Sequence, residues 1–251
     1  MVVPAFGAGA GAEQDGPPGY TYGAVLIRTE DAVAVTAALA EIRFSGWVAP
    51  PEDGWTVAVA RVARGTVAAG RRGVLGLAEW LASRFPEPVL AFRVLVDRQL
   101  VLAAWIEGEE LGRYISDPSR EPEADKDILS EPLGAEYAEA FAAAAERPDA
   151  AEDLGELLAE ELDPDSVIES ERLSRVLRML GLPTWLVAAA SLPKSIPTGP
   201  DARDFTRLGA GRPGFPGRLA GRAAEVIRKR RRPPPVVTDA PRGQGMDPWL
   251  M

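Results

Sequence analysis

Val89-Leu-Ala-Phe-Arg-Val-Leu-Val96, then Asp97-Arg98-Gln99, then Leu100-Val-Leu-Ala-Ala-Trp-Ile106 is the stretch whose reading decides the fold. The first run is apolar at nearly every position and rich in β-branched and aromatic residues, the pattern of a central strand. Three polar residues suffice for a tight turn, so the second run returns as its antiparallel partner. Glu107-Gly108-Glu109 turns the chain again, and Leu111-Gly-Arg-Tyr-Ile115 forms a further strand before Ser116-Asp117-Pro118.

Upstream, Tyr22–Arg28 reads as a strand. Thr29, Glu30 and Asp31 supply a side-chain acceptor and acid at a helix start, after which Ala32, Val35, Leu39 and Ile42 recur at helical spacing. Phe44–Val48 is a short strand ended by Pro50-Pro51. Glu52-Asp53-Gly54 is a turn, and Trp55–Arg61 alternates as a strand with one buried face would. Gly70-Arg71-Arg72-Gly73 opens a second helix with Val74, Leu77, Leu81 and Phe85 on its inner side, stopped by Pro86 and Pro88. The order is β-α-β-β-α-β followed by two strands. The expected fold is therefore α+β, a ferredoxin-like antiparallel sheet with two helices on one face, extended by the two added strands.

Beyond Pro118 the texture changes. Residues 119–132 form an acidic loop, and Ala135–Glu146 and Asp153–Leu162 are Ala/Glu/Leu-rich helices. A third helix, capped near Ser166, aligns Leu173, Val176, Leu177 and Leu180 and closes at Gly181 and Pro183. Glu171 and Arg175 are spaced for an i,i+4 pair. Leu182–Ala190 adds a last packed turn. This annex has too few apolar residues to stand alone and is expected on the sheet domain. The domain plan is thus a disordered Gly/Ala/Pro-rich start (1–19), a sheet domain (20–118), an acidic helical annex (119–192) and a disordered basic tail rich in Pro, Gly and Arg (193–251).

The chain of 251 residues has no histidine and no cysteine. Ser-His-Asp and Cys-His catalysis, zinc sites, thiol redox chemistry and disulfides are excluded within it. Carboxylate, Lys, Ser/Thr or Tyr chemistry remains, and no motif selects a reaction. Gly7, Gly9, Gly11 and Ala12 match the spacing of a dinucleotide loop, but only six residues precede them and Gln14-Asp-Gly-Pro-Pro follows, so strand and helix are both missing. Asp163-Pro-Asp165 with Glu169 lacks the Gly of a calcium loop. No cofactor is expected. No run is long and apolar enough to span a membrane, the start lacks the features of a secretory signal, and cysteine-free composition suits the cytoplasm.

Net charge is −9, but it is unevenly spread. Residues 107–171 hold 22 acidic residues against 4 basic ones, whereas residues 194–251 hold 12 Lys/Arg against 5 Asp/Glu. A negative body joined to a positive tail is an electrostatic dipole. Of the tryptophans, Trp55, Trp80 and Trp105 are expected in the core, Trp47 beside Gly46 partly exposed, and Trp249 a loose end.

The run Val89–Asp97, then Leu100–Trp105, Gly108, Leu111-Gly-Arg-Tyr114 and Ser116-Asp117-Pro118, resembles a hairpin signature of small uncharacterised bacterial α+β proteins of immunity-like or accessory type. It spans residues 89–118. The resemblance implies a binding or regulatory domain and brings no catalytic residue with it. The long basic tail departs from that pattern.

Three surfaces are candidates. Gly70, Arg71, Arg72 and Gly73 would offer free amides, a helix N-terminus and two guanidinium groups to a phosphate or carboxylate. Glu107, Glu109, Glu110 and Asp117 would form an acidic face at a hairpin end. Arg228, Lys229, Arg230, Arg231 and Arg232 could grip phosphates on nucleic acid or lipid, beside Pro233-Pro-Pro235. The expected function is a non-enzymatic binding or regulatory protein, immunity-like, engaging a basic protein partner through its acidic surface. A nucleic-acid-associated role through the tail is the second reading, and an enzyme acting on a phosphorylated metabolite the third.

Overall fold

The computed structural model describes residues 20–61, 65–121, 131–160, 169–192, 196 and 198–209. Its elements are β1 (Tyr22–Ile27), α1 (Ala32–Glu41), β2 (Gly46–Val48), β3 (Thr56–Ala60), α2 (Val74–Ala82), β4 (Val89–Leu95), β5 (Gln99–Ile106), β6 (Glu109–Ile115), α3 (Ala138–Ala144), α4 (Ala151–Ala159), α5 (Glu169–Met179) and β7 (Thr206–Leu208). A 3₁₀ segment, Thr184–Ser191, follows α5. No helix among the described residues is long and apolar enough to cross a membrane.

The seven strands form one sheet in the order β6-β5-β4-β1-β3-β2-β7, with every neighbouring pair antiparallel. The fold is α+β, as the element pattern predicts. The sheet order is not that of a free-standing four-stranded ferredoxin-like unit. The β5–β6 meander extends it beyond β4, and β7 adds an edge beside β2.

Side-chain parity makes two cores. Tyr22, Ala24 and Leu26 of β1, Leu90, Phe92 and Val94 of β4, and Leu100, Leu102 and Ala104 of β5 point to one face. Val25 and Ile27, Val89 and Ala91, and Val101, Ala103 and Trp105 point to the other. Helices α1 and α2 cover the second face through Val35, Leu39, Leu77 and Leu81. Phe141 of α3, Leu154, Leu157 and Leu158 of α4, and Leu173, Val176 and Leu177 of α5 cover the first. Each fully buried side chain of this kind contributes roughly 1.5–3 kcal/mol, which explains how an annex with so few apolar residues stays docked. Coverage on both sides also corrects the expectation for Trp55–Arg61. Strand β3 is buried along its whole length, because the annex covers the face expected to meet water.

Other expectations need correction. Asp31, not Thr29, caps α1, its carboxylate accepting from the Ala34 amide at 2.8 Å. Trp47 is buried, because β7 and the annex close over the β2 edge, while Trp80 is only partly buried and lies under the Arg84 guanidinium. Arg175 reaches Glu160 at 3.2 Å across to the end of α4, not Glu171 along its own helix. The sequence predicts loss of order from Pro193 onward, whereas Thr206–Leu208 forms β7. Phe205 anchors it, packed edge-on against Trp185, whose indole N–H donates to Glu52 at 2.8 Å.

Candidate functional site

The three hairpin turns differ in one telling way. Asp53-Gly54 and Glu107-Gly108 each place two residues at positive φ (50° and 79°, 48° and 84°), and each has Gly at the second position. The β4–β5 turn likewise has two successive residues at positive φ, Val96 and Asp97 (55° and 56°), with no Gly. A β-branched residue in the left-handed region is strained. The contacts around it hold it there. The Val96 amide donates to Thr21 Oγ1 at 2.9 Å, and the Asp97 amide donates to the Tyr20 carbonyl at 2.9 Å.

Asp97 also receives the start of α5. Its carbonyl accepts from the Glu169 amide at 3.0 Å, and its Oδ1 accepts from the Ser170 amide at 3.2 Å and from the Ser170 hydroxyl. Ser170 Oγ in turn accepts from Tyr22 OH at 2.8 Å. Burial pushes the Tyr22 hydroxyl above its ordinary pKa, against the Ser170 hydrogen bond and with the Asp97 charge, so it stays a donor. Alongside, the buried Arg172 guanidinium donates to Tyr114 OH and to the Glu160 carbonyl at 2.8 Å. Its Nε lies 3.5 Å from Glu169 Oε2. Burial raises the Tyr114 hydroxyl too, partly offset by the Arg172 charge. Burial likewise raises the Glu169 carboxyl, with Arg172 opposing and Ser116 hydrogen-bonded to it.

On the other face at the same sheet end, Arg93 donates to Glu121 at 2.5 Å and to Gln99 at 3.2 Å, and Gln99 donates to the Asp117 carbonyl at 2.8 Å. A carboxylate is a weak base toward a serine hydroxyl, and the hydrogen bonds here run between elements of the chain, with Arg93 Nε, Arg172 Nε and Glu169 Oε2 buried without a hydrogen-bond partner. The cluster is a clamp that fixes α5 to the β4–β5 hairpin. The sequence carried one signal for it, Val-Asp where a hairpin turn favours Asn-Gly.

The sequence-derived candidates fare differently. Gly70, Arg71, Arg72 and Gly73 stay together before α2, with Gly70 and Arg71 at positive φ. The Arg72 guanidinium is turned back to donate to the Ala69 carbonyl at 2.7 Å, and Arg71 is exposed. Glu107, Glu109, Glu110 and Asp117 do not form one acidic face. Strand β6 holds the turn and Asp117 at opposite ends, roughly 20 Å apart at the extended rise per residue. Glu110 is held by Arg113 in a two-pronged pair at 2.9 Å, and Asp117 caps the turn Pro118–Arg120 and pairs with Arg120 at 2.6 Å. Arg228, Lys229, Arg230, Arg231 and Arg232 lie outside the described residues, as do residues 1–19, Asp163, Asp165, Ser166 and Trp249.

The acidic surface that does assemble is on α3 and α4. A methyl placed on Gly155 would sit 3.6 Å from Ala138 Cβ, so the two helices meet at small residues. Their inner sides bury Phe141, Leu154, Leu157 and Leu158, which leaves Glu139, Glu152, Asp153 and Glu156 exposed, together with Glu136 in the 3₁₀ turn Ala135–Tyr137 just before α3. Glu152 and Asp153 sit in the first turn of α4, where negative charge suits the helix dipole. Glu156 follows Glu152 at i,i+4, a like-charge spacing that costs a few tenths of a kcal/mol. At the margins Glu146 pairs with Arg28 at 2.8 Å and Asp149 with Arg147 at 3.2 Å. The Arg147 hydrogen bond holds the Asp149 carboxyl below its ordinary value.

Comparison with protein-family models, with characterised proteins and with solved structures finds no match to this chain.

Proposed function

We propose that this is a non-enzymatic binding or regulatory protein, immunity-like and cytoplasmic, whose acidic α3–α4 face engages a basic protein partner. The carrying observation is the set Glu136, Glu139, Glu152, Asp153 and Glu156, five exposed carboxylates, one in the 3₁₀ turn Ala135–Tyr137 that leads into α3, one on α3 and three on α4. A surface of one sign speeds and orients encounter with a partner of the other sign. The clamp at Asp97 and Arg172 supports the reading, because it holds the annex as a rigid platform. The core belongs, on this reading, to the ferredoxin-like type. The central order β4-β1-β3-β2 and the placing of α1 and α2 on one face favour it.

The test is a native-lysate pulldown at low salt with the wild-type chain and with E136Q/E139Q/E152Q/D153N/E156Q. A basic protein held by the wild type, released by moderate salt and lost by the variant at unchanged melting temperature is the expected result. Equal retention by both proteins, or retention of none, would overturn the proposal.

A further inference from the structure

Helix α1 is uncharged on the side facing away from the sheet, with Thr36 its one polar residue there. Val35, Ala38 and Leu39 are buried against the sheet, while Val33 is 81% exposed and Ala37 and Ala40 lie beside it. A surface helix ordinarily carries charged residues there, and in α1 only the terminal Glu41 is charged. Val48, Ala49 and Pro50 at the end of β2 form a second wall, and Asp204 and Thr206 of the β7 segment close the side. Together they enclose an open groove of about 500 Å³.

The chain itself carries a fitting occupant. Residues 210–251 follow directly from the groove wall at β7. Leu219, Ala223, Val226 and Ile227 fall at i, i+4, i+7 and i+8, with Arg222 and Glu225 between them and Arg218 and Arg228 flanking them. Nine residues lie between Gly209 and Leu219, ten steps with a reach of roughly 33 Å when extended, and α1 is about 15 Å long. Asp204 lines the groove, 3.7 Å from Arg203, and exposed acids stand at the two ends of α1, Glu30 and Asp31 at the start and Glu41, paired with Arg84, at the finish, whereas the segment and the Arg228–Arg232 run after it are basic. Tethering raises the local concentration to the order of millimolar, so weak apolar contact suffices.

We infer that residues 218–228 dock as an amphipathic helix in the α1–β2–β7 groove. Leu219, Ala223, Val226 and Ile227 then lie on Val33, Ala37 and Ala40, and the basic run is held against the body. This stands apart from the acidic-face reading, which concerns the opposite side of the sheet.

The absence of native cysteine makes the test clean. Full-length A37C/A223C is oxidised at low protein concentration beside E152C/A223C, which offers the tail the acidic face instead. Residues 37 and 152 are both exposed, and circular dichroism checks folding of each variant. The expected result is an intramolecular disulfide forming at least tenfold faster in A37C/A223C, slowed tenfold or more by adding V33E. Equal rates in the two pairs, a cross-link only between molecules, no cross-link in A37C/A223C, or no effect of V33E would overturn the inference.

Discussion

Replacing Arg172 with Met removes a buried charge while keeping most of the side-chain stem. Arg172 is 3% exposed and Glu169 5%, with 3.5 Å between Nε and Oε2. The substitution leaves the Glu169 carboxylate buried without its cation, and takes a donor from Tyr114 OH and from the Glu160 carbonyl. Breaking one side of a buried pair costs about 3–5 kcal/mol, a large share of the 5–15 kcal/mol typical of a whole domain. Adding E169Q removes the stranded charge, so R172M/E169Q should recover about 2 kcal/mol, a coupling of the size contacting residues show. The pH dependence has a definite sign. The folded pKa of Glu169 is raised, chiefly by burial. Its stabilising contribution is therefore complete below the unfolded value of about 4.3 and is lost as pH rises through the folded value. Without Arg172 the folded value climbs further, so R172M should be least destabilised near pH 5 and most near pH 8. The double variant should lack that added slope. Urea unfolding followed through the buried Trp55, Trp105 and Trp185 measures all three proteins. Equal destabilisation of R172M and R172M/E169Q at pH 8, or a loss independent of pH in R172M, would refute the reasoning.

Other expectations follow from single contacts. V96G should stabilise the protein by about 1 kcal/mol by relieving a β-branched residue at φ 55°; a lower melting temperature would show that the Val96 side chain packs more than it strains. G134A should cost about 3 kcal/mol, since φ is 86° and a methyl there would come within 1.9 Å of the Arg113 carbonyl oxygen. Wild-type stability of G134A in thermal melts would contradict that geometry. F205A should cost about 3 kcal/mol and free β7. Hydrogen exchange should then speed up along Gly46–Val48 before β4 and β5 respond, and uniform loss of protection would place Phe205 in the common core instead.

The alternation of apolar and polar residues, the Pro and Gly stops and the length of each run determined by themselves the order of strands and helices through Ile115, because those signals act within a few residues. They also carried the helical nature of the annex and its need of the sheet. Burial of β3 on both faces was not legible, since nothing in Thr56–Ala60 says which later segment will cover its second side. The burial of Trp47 is hidden from the sequence for the same reason: Phe205, more than 150 residues later, packs on Trp185 in the core that also holds Trp47. The acidic sequence of residues 107–171 was plain, but where its charge converges was not. Strand β6 pulls Glu110 and Asp117 apart and gives each an arginine, while small residues at Ala138 and Gly155 bring α3 and α4 together. The clamp rests on partners about 75 residues apart, Asp97 with Ser170 and with Tyr20. Side chains that distant meet only when the sheet and annex have packed, and the packing energy that joins them is a property of the folded whole.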